Sequence, residues 1–373
     1  MNFDLTSEQS MLVDQIKLFA KEQLAPKVQH RDDHGSFFEE GLRSLSELGM
    51  LGFCVPEAYD GVESDPLALC RALSGLASSD ASMALLAALI NGLTVEYILA
   101  SATEDQKQNW LPQLVTGECW PAWAGTSPTL QNSASTIQAT RDGENWILQG
   151  TQKFVYMGQH ATHFVVFADH ARGEQAFWIE RETEGLQIAP VQRALGFRST
   201  GLSQLTLEGL VVSEDNRIGK STASSTAPAW RRGNTVLAAI SLGIAQGALD
   251  RAIDYAKQRK QFGKPLAAFQ AIQWKIADMA MELEAGRLLL DRAAFDWQQQ
   301  DEEALELSSR SARLFTAELA TKCAQEAIQI HGGYGFTTEF EVERYYRDAQ
   351  ALRASFGGSD LQRHHLARDR AQR

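Results

Sequence analysis

Residues 255–270 read Tyr255-Ala-Lys-Gln-Arg-Lys-Gln-Phe-Gly-Lys-Pro-Leu-Ala-Ala-Phe-Gln270, and residues 329–336 read Gln329-Ile-His-Gly-Gly-Tyr-Gly-Phe336. The first stretch ends one helix and opens the next, because Gly263 and Pro265 break the chain between two apolar-periodic segments. Within it, Arg259 carries a permanently charged bidentate donor suited to a pyrophosphate. Taken alone, the stretch is read more simply as a basic helix C-terminus complementing its dipole. The second stretch is a helix end running into a glycine turn. Gly332 and Gly333 let backbone approach a ligand closely, although glycine also ends helices where there is no ligand.

Around these stretches the pattern is helical. Ile272, Ile276, Met279, Leu283, Gly286 and Leu290 recur in steps of four and three, an apolar seam suited to a bundle. Residues 236–260 are apolar on several faces, as in a helix buried inside a bundle, and residues 301–330 form another long helix. At the other end, Thr6 and Gln9 predict a capping box, Leu12, Ile16 and Phe19 share one face, and Pro26 marks a stop. Helical patterns follow over residues 37–48, 67–78 and 83–99, and the helical character persists to about Leu114. Between the two helical regions lie short β-branched and aromatic runs: Trp146-Ile-Leu, Phe154-Val-Tyr, Phe164-Val-Val-Phe, Phe177-Trp-Ile and Leu205-Thr-Leu-Glu-Gly-Leu-Val-Val. Residues 221–228, rich in Ser, Thr and Ala, read as a linker. The expected fold is therefore α+β and mostly α. An N-terminal helical domain covers residues 1–119, a small antiparallel β-barrel or sandwich 120–228, and a C-terminal four-helix-bundle-like domain 229–373.

The 373 residues are 44% hydrophobic and 22% charged, enough apolar material for a large core. A net charge of −12 argues against nucleic acid and anionic membranes as main partners. Cys54, Cys70, Cys119 and Cys323 are scattered, so neither a metal site nor a disulfide framework is expected, and a reducing cytosol is the simplest location. Residues 1–10 do not read as a signal peptide, and no uninterrupted apolar run reaches the roughly 20 residues of a bilayer span. A cytoplasmic protein without a membrane partner is expected.

The order and spacing of the two opening stretches resemble the C-terminal domain of acyl-CoA dehydrogenases, with its Arg-x-x-Phe-Gly…Gln and Gln-x-x-Gly-Gly-x-Gly patterns. Val342-Glu-Arg-Tyr-Tyr-Arg-Asp-Ala and Gly52-Phe-Cys-Val-Pro-Glu-Ala-Tyr-Asp-Gly match that family too, so the resemblance spans essentially the whole chain. It implies FAD as cofactor. Arg259, Lys260, Gln261, Phe262, Phe269 and Gln270, with Gln329, Ile330, His331, Gly332 and Gly333, would hold the pyrophosphate and adenosine. His331 is expected to face the cofactor or an interface. Phe154, Val155 and Tyr156 fall where the flavin ring is lined, and Gly358, Ser359 and Asp360 also fall against the cofactor. Because such groups reach a neighbouring subunit's flavin, the resemblance implies a homodimer or homotetramer. It further implies an acyl-CoA or acyl-carrier-protein thioester as substrate, and an electron-acceptor flavoprotein as a further partner. Substrate contacts fall on Arg231, Arg232, Gly233, Asn234, Leu130 and Gly357. A guanidinium of the Arg231-Arg232 pair would meet a phosphate or an acid on the acyl chain; the competing reading is a solvated pair at a helix N-terminus.

The reactive end departs from the family pattern. Counted from Arg347, the usual catalytic glutamate is Phe356, and its alternative station, counted from Ala245-Gln246, is Gly233. The β-domain run that would bind the flavin ring and thioester reads Ala124-Gly125-Thr126-Ser127-Pro128-Thr129-Leu130, or two residues later in a shifted register that recovers Thr126 and Pro128. Asp360 is the nearest candidate for a relocated base, against a simpler role as helix N-cap. Three readings follow. One is an acyl-thioester dehydrogenase with a missing or relocated base. Another is flavin chemistry needing no α-proton abstraction (reduction, monooxygenation or elimination), and the third is a non-catalytic FAD-binding subunit. His364 and His365 read as a solvated face with Arg363 and Arg368, and Trp123 and Trp146 as core or ring-packing residues.

Overall fold

The computed structural model describes residues 2–125, 137–219 and 226–371. The N-terminal region contains α1 (Ser7–Phe19), α2 (Val28–His34), α3 (Glu39–Glu47), α4 (Pro66–Ser79), α5 (Ala81–Leu89), α6 (Glu96–Ser101) and α7 (Glu104–Thr116). The Thr6–Gln9 capping box forms as the sequence predicts. The helical run that starts there ends ahead of Pro26. Helix α1 widens into a π-turn over Ala20–Leu24, and Pro26 sits in the 3₁₀ turn Ala25–Lys27, where its missing N–H is tolerated before α2. The pattern over residues 83–99 is likewise split, by a second π-turn at Ile90–Val95.

The middle region holds β1 (Pro121–Ala124), β2 (Gln138–Asp142), β3 (Asn145–Val155), β4 (His163–Ala168), β5 (Gln175–Glu180), β6 (Leu186–Pro190) and β7 (Ser203–Ser213). They form two sheets, ordered β1-β4-β5 and β2-β3-β7-β6. The second is antiparallel throughout. The first contains a parallel pair, with Pro121 opposite His163 and Ala124 opposite Val166, so the expected all-antiparallel arrangement is corrected there. Strand alternation cannot reveal this, since the same inward faces serve either direction.

In the C-terminal region, α8 (Ala227–Gln258) is followed by a small hairpin of β8 (Lys260–Gln261) and β9 (Lys264–Pro265). Helices α9 (Gln270–Gln298), α10 (Glu302–His331), α11 (Val342–Ala354) and α12 (Gly358–Ala371) complete it. Helix α8 begins at Ala227 with Pro228 in its first turn, so the last residues of the expected linker are helical. Two helical stretches, Ala81–Ser101 and Ala227–Gln258, are by length and composition apolar enough to cross a membrane, although neither is an uninterrupted apolar run; 83% and 78% of their apolar windows are buried inside the protein.

Buried polar contacts tie the regions together. Arg71 on α4 grips Asp291 on α9 with two bonds, the Nε one 3.1 Å long. Asp348 on α11 accepts the Phe197 N–H at 2.6 Å, and Arg347 pairs with Asp32. Burial, then the neighbouring Asp32 carboxylate, pushes Asp348 up to about 7, against the pull of the Phe197 N–H and Arg344. The folded state therefore holds this proton over the window from about 4 to about 7 in which an unfolded aspartate has lost it. Its contribution to stability is full below the unfolded pKa and falls as pH rises to about 7. Asp348→Asn, which keeps an acceptor for Phe197, is expected to remove this downward slope in urea-unfolding free energy; an unchanged slope would rule out Asp348 as its source.

Candidate active site

The residues singled out in the sequence gather in two places. One is at the ends of α8 and α10. Tyr255 near the end of α8 stacks on His331 at the end of α10, with centroids 4.2 Å apart. The β8–β9 hairpin turns through Phe262 (φ 49°) and Gly263 (φ 79°), leaving Phe262 93% exposed. Gly332 (φ 60°) and Gly333 border open space, with nothing within 4 Å of where a Cβ would stand. Arg259 lies over the Tyr334 ring at 5.7 Å, and no carboxylate among the described residues pairs with it. Lys260, Gln261, Gln270 and Gln329 are exposed around this turn, while Phe269 precedes α9 and packs edge-on to Phe262 at 6.3 Å.

An unpaired guanidinium, exposed amides and an open glycine cradle are the donor set a pyrophosphate needs, so this surface fits the FAD that the sequence implies. The side chains of His331 and Ile330 are buried: His331 is 4% exposed, with Nδ1 2.7 Å from the Ala327 carbonyl. Arg259→Ala is expected to lower retained FAD about tenfold or more in affinity, one or two charge-assisted bonds being lost. The flavin-to-protein ratio after gel filtration measures it, and full occupancy of the variant would sink this assignment.

The second gathering surrounds Phe356. A bulge in β3 between Gln152 and Val155 turns Phe154 (φ 61°) outward, while Val155 and Tyr156 point in. The Tyr156 ring stacks on Phe356, centroids 5.4 Å apart and planes 27° from parallel. Its hydroxyl lies 3.1 Å from Ser355 Oγ; since Ser355 donates its own proton to the Ala351 carbonyl (2.7 Å), Tyr156 is the donor of that bond. Burial raises the Tyr156 phenol above its usual range, the Ser355 bond opposing. Trp230 on α8 closes the other side of Phe356 at 6.2 Å and meets Trp123 of β1 edge-on, also at 6.2 Å. Phe356, Gly357 and Gly358 have φ of 54°, 89° and 56°, three left-handed residues in succession, which strains Phe356 but not the glycines.

Neither position that counting along the sequence offered for the base, Phe356 or Gly233, carries a carboxylate. Phe356 is packed in rings. A Cβ on Gly233 would lie 2.5 Å from Leu93 Cδ2, so the π-turn occupies the space a longer side chain needs. Asp360 is not an N-cap: it lies within the first turn of α12, its side chain is solvent-exposed, and it pairs with Arg363 at 2.8 Å. Ser359 is buried beside it. Arg231 and Arg232 are not free for a ligand. Arg231 binds Glu302 at 2.7 Å and Glu306 at 2.6 Å; Arg232 binds Glu302 and, at 2.9 Å, Glu96. Asn234 is buried behind them. Burial pushes Glu96 up to about 7 against the pull of Arg232. These carboxylates come from α6 and α10, far away in sequence, and no local signal announced them. His365 also differs from expectation: it is buried against α10, and burial, then Arg310, lowers its pKa, while His364 is exposed. Trp123 and Trp146 are buried ring-packing residues, as read from the sequence. Leu130, with Thr126 and Pro128, lies outside the described residues. Among the described residues no cluster of His, Cys, Asp or Glu could hold a metal ion.

Comparison with known proteins agrees with this geometry. Family models described as acyl-CoA dehydrogenase N-terminal, middle and C-terminal domain match residues 6–118, 124–210 and 229–370. The probable acyl-CoA dehydrogenase YngJ of Bacillus subtilis is 33% identical over 99% of both chains. The structure of butyryl-CoA dehydrogenase from Megasphaera elsdenii superposes with a TM-score of 0.93 at 31% identity, covering 100% of both chains. That of the prolyl acyl carrier protein oxidase AnaB superposes at 0.90 and 28% identity, covering 98% of this chain and 99% of that one. With all three domains matched over nearly its whole length, the chain belongs to the acyl-CoA dehydrogenase family of FAD-dependent oxidoreductases.

Proposed function

We propose that this chain carries out flavin oxidoreduction on an acyl thioester without a carboxylate base at either family position, so that ordinary α,β-dehydrogenation is not its efficient reaction. The observation that carries the reading is Phe356, held between Tyr156 and Trp230 where a base would stand. When bound, FAD supplies a two-electron acceptor or donor for hydride. The protein's own part is to orient the thioester, exclude water with its aromatic walls, and fix the Tyr156 proton on Ser355. The Tyr156 hydroxyl, protonated and engaged with Ser355, does not supply a base for a weak carbon acid.

Both thioester carriers remain in view: a butyryl-CoA dehydrogenase and an acyl-carrier-protein oxidase are both close in structure. The assembly we propose is a homodimer or a homotetramer. Trp274, Met281 and Leu288, seven residues apart on α9 and each more than half exposed, form the apolar stripe that supports it. A second flavoprotein is the proposed electron partner.

An anaerobic titration tests the reading. The FAD-loaded protein should keep its oxidised spectrum with saturated acyl-CoAs, and its chemically reduced form should be reoxidised by enoyl thioesters. Rapid bleaching by a saturated acyl-CoA would overturn the proposal and require a base elsewhere.

A further inference from the structure

A cleft of about 890 Å³ lies between the N-terminal and C-terminal helical regions, and none of its lining residues is among those placed at the flavin or around Phe356. Its volume is that of a small-molecule site, and such sites favour the boundary between domains. Two glycines shape it. Gly75 on α4 lets the stem of Lys17 lie across that helix, since a Cβ there would stand 2.5 Å from Lys17 Cγ. Gly247 on α8 lets Tyr345 close the floor: a Cβ would stand 2.5 Å from its Cε1, and the Tyr345 hydroxyl donates to the Ser78 carbonyl at 2.9 Å.

The charge of this lining is opposite to that of the chain. The sequence holds 47 Asp and Glu against 35 Lys and Arg, whereas Lys17, Lys21, Arg71, Arg251, Lys257 and Arg287 line the cleft against Asp250 and Asp254. Four of these cations have a carboxylate partner outside the lining. Asp291 takes Nε and Nη2 of Arg71, which leaves Nη1 without a bond among the described residues. The other three pairs, Arg251–Glu341 at 3.1 Å, Arg287–Glu284 at 3.2 Å and Lys17–Asp14 at 3.7 Å, are partly or fully exposed. Exposed pairs contribute little, so a multiply charged ligand competes for these cations at small cost. Lys21, from the π-turn Ala20–Leu24, and Lys257, near the end of α8, have no carboxylate partner among the described residues. Asp250 is already engaged, accepting from Gln246 Nε2 at 2.8 Å.

Each wall therefore presents an unpaired ammonium, one from the N-terminal region and one from the C-terminal region. A single negative charge is met by one of them, and charge on both walls suits a ligand that carries two or more. Tyr345, the one aromatic residue in the lining, is buried, so no ring face is offered to a nucleobase. We infer that this cleft binds a compact metabolite with at least two negative charges, a diphosphate or a polycarboxylate, held between Lys21 and Lys257 with Arg71 as a further donor. The inference is independent of the thioester chemistry proposed above.

Calorimetry on the FAD-loaded protein, whose cofactor occupies the other pyrophosphate surface, tests it. Pyrophosphate and citrate are compared with chloride and acetate at equal ionic strength. At least one of the two oligoanions should bind at a single site at which the monoanions do not. Binding of pyrophosphate alone identifies a phosphate ligand, and binding of citrate alone a polycarboxylate. Lys21→Gln with Lys257→Gln, both at exposed positions, should weaken that binding about tenfold or more, two charge-assisted bonds being lost. In the wild-type protein the bound oligoanion should protect Lys21 and Lys257 from reductive methylation and leave Lys27, exposed outside the cleft, unprotected, a readout that does not depend on the variant folding. If neither oligoanion binds more tightly than the monoanions, or if the double variant keeps full affinity, the inference is overturned. Protection of both lysines by oligoglutamate but by neither small oligoanion would assign the cleft to a protein partner and overturn it as well.

Discussion

Phe356→Glu should raise the rate at which a saturated acyl-CoA bleaches the flavin by about 10²–10⁴-fold, the usual worth of a positioned general base. The backbone at 356–358 is already in the left-handed turn that aims residue 356 at Tyr156 and Trp230, so the new carboxylate inherits a defined position. Two aromatic walls would desolvate it and raise its pKa, which strengthens it as a base towards a thioester α-proton. The glutamate loses the ring contacts of phenylalanine, and a modest loss of stability is expected alongside the gain in rate. Single-turnover anaerobic mixing measures the effect across the acyl series. A folded, flavin-loaded variant that stays inert with every ligand would mean that the thioester does not reach residue 356, and the proposed function would need revision.

The largest expected effect on stability is at the Arg31–Asp80 pair. Arg31 on α2 reaches Asp80 at 2.8 Å, with both side chains almost wholly buried, and also donates to the Leu24 carbonyl. Asp80 in addition caps α5 by accepting the Met83 N–H at 3.0 Å. Asp80→Ala removes the cap and leaves a buried guanidinium without its counter-charge, so a loss of about 3–5 kcal/mol is expected in urea unfolding. Removing both charges is the control. Arg31→Met with Asp80→Asn should lie closer to wild type than Arg31→Met alone, because no unpaired charge remains. A single substitution costing under about 1 kcal/mol would show that water reaches the pair on substitution.

Much of this protein is legible without coordinates. Thr6 and Gln9 specify a helix start through contacts three residues apart, and Asp301 caps α10 in the same way. The period of Met279, Leu283, Gly286 and Leu290 marks the buried face of α9. Gly332 and Gly333 stand in an open turn suited to a cofactor, and the absence of a carboxylate at 356 and 233 can be read by counting along the chain. Each of these depends on residues close in sequence or on a repeat of fixed period, and local geometry is enough to decide it.

Other features depend on which distant elements meet. Arg231 and Arg232 look like ligand donors until α6 and α10 bring Glu96, Glu302 and Glu306 against them. His331 sits in a glycine-rich stretch yet faces inward on Tyr255. The parallel pairing of β1 with β4 leaves no mark on strand composition. The Tyr156–Ser355 bond joins residues 199 apart, and the indole N–H groups of Trp123 and Trp230 have no hydrogen-bond partner among the described residues. The sequence by itself determined the family and the three-domain order, because motifs and periodicities are local. Only the tertiary structure decided which charges are already neutralised and which donors are left unpaired, because both depend on packing between segments far apart in the chain.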